Sequence, residues 1–256
     1  MLAFIYILLA TVFGIVFLWA NIDIKRIIQK ITDVSKIKSK LSDGDIDILS
    51  ILFAVFAGST FGIMIVPFLN YYLIYLLDVI KYNNAINYDI GTSLTVLFFL
   101  VMTTINIKKI KKTKKFVSIK NMKKKSIIYY SLSVLFIVLV SGFLMFYTYN
   151  IKENTLYIGA STFSDLSPHT AMISSFAQKG NIPTTYMHFG NDGIRWHFLF
   201  YFFAGILNYL GFGIDFAINI PSLMVMASCI GIVRNFSQYY FKEKACFFYC
   251  NYTNSF

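Results

Sequence analysis

The sequence predicts an all-α polytopic membrane protein with about six transmembrane helices and an outer-face loop carrying a short amphipathic helix. Three observations carry this expectation. Of the 256 residues, 57% are hydrophobic and only 14% charged, far from a soluble average. The apolar runs are long enough to cross about 30 Å of hydrocarbon, which needs roughly 20 residues as helix. They are also continuous, without the period-2 alternation of barrel strands, and only helices or closed barrels satisfy the backbone in lipid.

The cations are segregated. Six Lys and Arg lie between Lys25 and Lys40 and ten lysines between Lys108 and Lys125, together 16 of the 23 in the chain. This distribution accounts for the formal charge of +11 as the positive-inside pattern of two cytoplasmic loops, with attraction to anionic lipid as a second effect. No aromatic interleaving or known binding motif accompanies the lysines, so the expected partner is the lipid bilayer and not nucleic acid. Three cysteines, Cys229, Cys246 and Cys250, include no CxxC pair and support neither a disulfide framework nor a metal cluster. Cys229 reads as a small packing residue within an apolar run.

In chain order, Met1 to Ala20 is apolar throughout, with no basic n-region or small-residue cleavage site, and reads as a retained membrane helix. Asn21 to Asp47 is polar; its KRIIQKITDVSKIKSKL portion reads either as an amphipathic helix on the inner surface or as a solvated linker. Ile48 to Leu77 is uncharged for thirty residues around Pro67, which predicts one tilted or kinked helix, with Tyr71, Tyr72 and Tyr75 in an interfacial aromatic belt. Ile90 to Ile107 and Ser126 to Tyr149 are a third and a fourth crossing. If both basic loops are cytoplasmic, the amino terminus, the Lys81–Asp89 loop and the Asn150–Arg195 loop all lie outside. Phe198 to Ile214 and Phe216 to Val233 are expected as a fifth and a sixth crossing. Between them Asp215 forms a hairpin at the inner surface, an arrangement that leaves Arg234, Lys242 and Lys244 outside against the charge rule. The closing residues KEKACFFYCNYTNSF do not continue the pattern, and the expectation is a chain truncated at its carboxy end. No internal repeat is present. The implied division is residues 1–125, membrane helices with two basic cytoplasmic loops, and residues 126–256, a membrane core with an outer loop over 150–197.

Outside the charged tails and linkers, most of the groups able to do chemistry fall between Ser164 and Phe198: all three histidines, His169, His188 and His197, with Asp165, Asp192 and Arg195. Ser167 and Pro168 form a helix start, and Gly180-Asn181 forms a stop. Between them Met172, Ile173, Phe176 and Ala177 recur at helical spacing, which predicts a short amphipathic helix on the outer membrane surface. Asp165 either faces a water-filled cleft or caps this helix and balances its dipole. If the helix begins early, His169 shares a face with it, and the pair could transfer protons or bind a cation. Arg195 is suited to a phosphate because its planar fork binds two oxygens at once. Trp196 reads as an interface anchor. His188, Asp192 and His197 match no familiar metal-ligand spacing, so the cofactor is unknown, with a divalent metal left open.

Asp165, the segment Gly180-Asn181-Ile182-Pro183, His197 and the run FLFYFFAGILNYLGFGID together resemble the GT-C superfamily of membrane glycosyltransferases. The resemblance covers roughly Ser126 to Ala227. It implies inverting transfer of a sugar from a polyprenyl-phosphate carrier, the expected donor partner, to an acceptor on the outer face of a bacterial plasma membrane. It also implies that Asp165, the acidic residue of an outer loop, is the general base. Arg195 is the candidate for stabilising the departing phosphate on chemical grounds, and His169, His188, Asp192 and His197 are candidate substrate contacts. The alternative classes are a transporter or flippase component, marked by ionisable residues inside crossings, and a non-catalytic membrane protein.

Overall fold

The computed structural model describes residues 1–34, 43–80, 84–113, 124–153, 155–160, 163–178, 181–186, 193 and 198–253, with backbone alone at 31–34, 43, 84–85, 163, 165 and 236–253. Its elements run α1 (Leu2–Asn21), α2 (Ile24–Val34), α3 (Asp43–Val79), α4 (Asn84–Thr113), α5 (Lys124–Thr148), β1 (Tyr149–Lys152), β2 (Thr155–Ile158), α6 (Phe163–Ala177), α7 (Leu199–Tyr209) and α8 (Ile214–Thr253). Five helices contain a stretch long and apolar enough to cross a membrane: Leu2–Asn21, Gly44–Val79, Ile86–Thr113, Lys124–Thr148 and Ile214–Asn235. The first four match the expected crossings, and α3 runs through Pro67 as a single helix.

The fifth expected crossing does not form. Phe198 to Ile214 contains α7, a helix of 11 residues. At 1.5 Å per residue it spans roughly 16 Å, about half a hydrocarbon core. Its apolar character comes instead from burial in protein: Phe202, Phe203, Ala204, Gly205, Ile206 and Leu207 are all buried. The helix closes on Gly211 at φ +104°, where Phe212 N–H donates to Leu207 O and Gly211 N–H to Asn208 O, a left-handed stop that suits glycine. Beyond it, the backbone N–H of Ala3 in α1 donates to Leu210 O.

Side-chain contacts fix the directions of the five long helices. At one end Asn21 at the end of α1 bonds Asn106 and Lys109 of α4, Lys25 of α2 pairs with Asp47 of α3 at 2.6 Å, and Arg234 of α8 bonds Ser133 of α5. At the other end Ala3 meets the α7–α8 turn, Tyr71 of α3 meets Thr184, the Tyr209 hydroxyl of α7 donates to Asp89 of α4, and Asp215 of α8 accepts from Ile151 N–H of β1. Successive long helices are therefore antiparallel. The described flanks of both basic loops lie at one end, as expected.

That arrangement corrects two placements. Asp215 lies at the end opposite the basic flanks, beside the hairpin, and not at an inner turn. Arg234 lies at the basic end, so the conflict with the charge rule at that residue disappears; Lys242 and Lys244 continue in α8 with only their backbone described.

Between α1 and α3 the backbones touch. A Cβ built on Gly14 would stand 2.0 Å from Gly58 O, and one on Gly62 would stand 1.9 Å from Ala10 O. Small residues four apart on each helix, Ala10 and Gly14 facing Gly58 and Gly62, allow this approach, and dispersion contacts between bare backbones replace a hydrophobic drive that lipid does not supply. Around this seam the main core gathers Tyr6, Phe13, Phe99, Ile173, Phe176, Phe202 and Phe203. A second cluster joins Ile24 and Ile28 of α2 to Ile46 and Leu49 of α3 and Tyr130 of α5. Of the two readings of Asn21 to Asp47, the portion from Ile24 to Val34 is thus a helix, with its apolar side on the bundle and Lys25, Arg26 and Lys30 exposed.

Two smaller expectations are also corrected. Tyr71 is buried, bonded to Thr184 and packed on Phe198 and Phe202, and does not sit in an interfacial belt, whereas Tyr72 is exposed. Cys229 is exposed on the outside of α8 and packs no core.

Candidate functional site

The polar stretch is held at the end opposite the basic flanks by a hairpin the sequence did not announce. β1 and β2 pair antiparallel from Tyr149↔Ile158 to Lys152↔Thr155, and Glu153 in the tight turn has φ +49°. Tyr149 is its anchor. Its ring is buried, its carbonyl accepts from Asn219 Nδ2 of α8, and its hydroxyl lies 2.9 Å from Thr170 Oγ1 of α6. Two residue pairs further on, Ile151 N–H donates to Asp215 Oδ2 at 3.3 Å. Asp215 and Asn219 are one helical turn apart, so the first turns of α8 present two side chains to the strand. Burial, reinforced by the nearby Asp215 carboxylate and opposed by the Thr170 hydroxyl, raises the Tyr149 phenol above its ordinary pKa.

α6 begins at Phe163, four residues before the expected start at Ser167. Pro168 is therefore inside the helix, within its first two turns. Asp165 belongs to the first turn, and His169 follows one turn later, so the early start that lets the two positions share a face is met. His169 stacks on Tyr201 of α7, with ring centroids 4.5 Å apart and planes 16° from parallel, and its Nε2 is 3.2 Å from the Tyr201 hydroxyl. Met172, Ile173 and Phe176 are buried, and a Cβ on Gly205 of α7 would lie 2.5 Å from Phe176 Cβ. The apolar face of α6 is thus spent on α7, where an amphipathic helix resting on lipid was expected.

Past α6 the chain is pinned by Asn181, which is buried. Its Nδ2 donates to Ser175 Oγ and Thr185 O, while its Oδ1 accepts from the Thr185 N–H and hydroxyl. Thr185 also pairs with Gly193 in an isolated bridge, which brings the two sides of the segment together. α6 ends at Ala177, before the expected stop at Gly180-Asn181, and Asn181 in the Gly-Asn-x-Pro segment organises the loop that follows it. Its role was not read from sequence, and the polar residues at six and four positions' distance, Ser175 and Thr185, were the available signal.

Of the predicted site residues, the structure places Asp165 by its backbone and His169 with its side chain. His188, Asp192, Arg195 and His197, and with them Trp196, lie outside the described residues. Among the described residues no group of three or more His, Cys, Asp or Glu converges as a metal site. Tyr149, Thr170, Tyr201 and Asp215 were missed, because neither an aromatic at the end of a crossing nor an aspartate between two apolar runs signals its partner along the chain.

Comparison with protein-family models, with curated proteins and with solved structures finds no match to this chain.

Proposed function

We propose that the chain is all or part of a GT-C-type membrane glycosyltransferase, moving a sugar from a polyprenyl-phosphate carrier to an acceptor at the outer face, with Asp165 as general base. The observation that supports this reading is the placement of residue 165 in the first turn of a helix fixed against the bundle. It stands at the end away from the basic flanks, one turn before His169. With the basic end cytoplasmic under the positive-inside rule, this end faces outward. In the proposed step the acceptor oxygen forms a bond to the anomeric carbon as its proton passes to the Asp165 carboxylate. The carbon–oxygen bond to phosphate breaks, and the phosphate keeps the electron pair and leaves with its lipid. A cation is needed beside that phosphate, and Arg195 is assigned the role by its chemistry.

The transporter alternative draws less support. In the described spans ionisable acids and bases lie only toward the helix ends: Asp45, Asp47 and Asp78 in α3, Asp89 and Lys108 onward in α4, Lys124 and Lys125 in α5, Asp215 and Arg234 in α8. Intramembrane relays are built from such groups at mid-depth.

Transfer from a radiolabelled polyprenyl-phosphate sugar in membranes carrying the full protein tests the reading. Asp165→Asn is expected to lower the rate on the order of a hundredfold or more, the usual weight of a positioned base, with the protein present at normal level. Unchanged transfer would remove Asp165 from the chemistry.

A further inference from the structure

We infer that the groove between α5 and α8 at the basic end binds an anionic glycerophospholipid, with the phosphate on Arg234 and an acyl chain along the apolar wall. The groove has a volume of about 540 Å³ and is lined by Tyr129, Leu132, Ser133, Phe136, Ile137, Ile230 and Arg234. That volume lies within the range of roughly 300–1,000 Å³ found for small-molecule sites. Five of its seven residues are aliphatic or aromatic, and its single formal charge is the cation at the end nearest the basic flanks.

Arg234 is fixed for this task. Its Nη2 donates to Ser133 Oγ at 2.6 Å, and its guanidinium lies over the Tyr129 and Tyr130 rings at 5.3 and 5.6 Å from their centroids. A braced guanidinium presents a planar set of N–H donors that matches phosphate oxygens. Lys125, exposed in the first turn of α5, continues the row of Tyr129, Leu132 and Phe136 at spacings of four and three, so a second cation stands above the groove on the same stripe. The outward wall suits acyl chains. Leu132 and Phe136 are 61% and 68% exposed, and nothing polar interrupts them below Ser133.

Charge complementarity selects the occupant. A leaflet facing lysine-rich flanks is enriched in anionic headgroups, and a zwitterionic lipid carries an ammonium that Arg234 and Lys125 would repel. The inference stands independently of the glycosyltransferase reading, since it concerns the opposite end of the bundle.

Native mass spectrometry of the full chain in mild detergent, with phosphatidylglycerol and phosphatidylcholine added at equal concentration, tests it. The wild type is expected to retain phosphatidylglycerol preferentially. Arg234→Gln should lower that retention about tenfold, the effect of losing one charge-assisted bond set, and leave phosphatidylcholine unchanged. Lys111→Gln, which removes a cation at the same end away from the groove, should have no such effect. Leu132→Trp fills the groove at an exposed position without touching the charge, and should lower phosphatidylglycerol retention even if Arg234→Gln does not fold. Equal retention of the two lipids by the wild type overturns the inference, as does equal loss from the Arg234 and Lys111 variants. So does a homodimer cross-linked in membranes through Phe136→Cys, which would show the groove covered by a second copy.

Discussion

Tyr149 joins three elements through one residue, and its hydroxyl makes that junction sensitive to pH. Its phenol is raised chiefly by burial, so the folded state holds the proton more tightly than the unfolded chain does. The contribution is therefore complete below the unfolded value of about 10 and is lost as pH rises through the folded value. Melting in detergent between pH 8 and pH 11 should show wild type losing stability above about pH 10 relative to Tyr149→Phe. The variant gives up the Thr170 bond, about 1 kcal/mol, at every pH. A constant difference between the two proteins across that range would refute the linkage. At this scale the sequence was partly legible. Asp165 and His169 could be set four apart before any fold was known, because helical spacing is a local property. The partners of Tyr149, Tyr201 and Asp215 could not, because the bonds that define their roles reach to other elements of the chain.

The glycine seam between α1 and α3 is the least forgiving contact among the helices. Gly62→Leu must push the helix backbones apart, since even a Cβ there would overlap Ala10 O. A cost of about 1–3 kcal/mol or more is expected from overpacking alone, read as a lower melting temperature in detergent. Among the described residues nothing lies within 4 Å of a Cβ at Gly193, so Gly193→Leu should leave melting nearly unchanged; a similar drop in both would mean that the seam is not special. The four long crossings α1, α3, α4 and α5 were legible as elements because hydropathy reports transfer out of water directly. The same signal misread α7, since a run such as FLFYFFAGIL is equally apolar whether lipid or protein surrounds it. The hairpin was missed for another reason: two strands of four residues between a crossing and a helix leave too short an alternation to stand out.

Five long helices in alternating directions set which parts of the chain share a face of the membrane. Single cysteines introduced at Lys112 and at Arg234 should label from the same side with a membrane-impermeant maleimide, and one at Glu153 from the opposite side. A six-crossing chain would instead group Arg234 with Glu153. The segregation of lysines made the common end of the two basic loops legible in advance, while the parity after residue 198 depended on the length of α7. That short helix also constrains how the molecule is made. Eleven residues are too few to be threaded across a bilayer on their own, and the carbonyl just past the end of α7 is met by the backbone of Ala3, about two hundred positions earlier in synthesis. α1 is thus made before α7 and waits as a template on which the later helix is laid, and assembly has an order written into it.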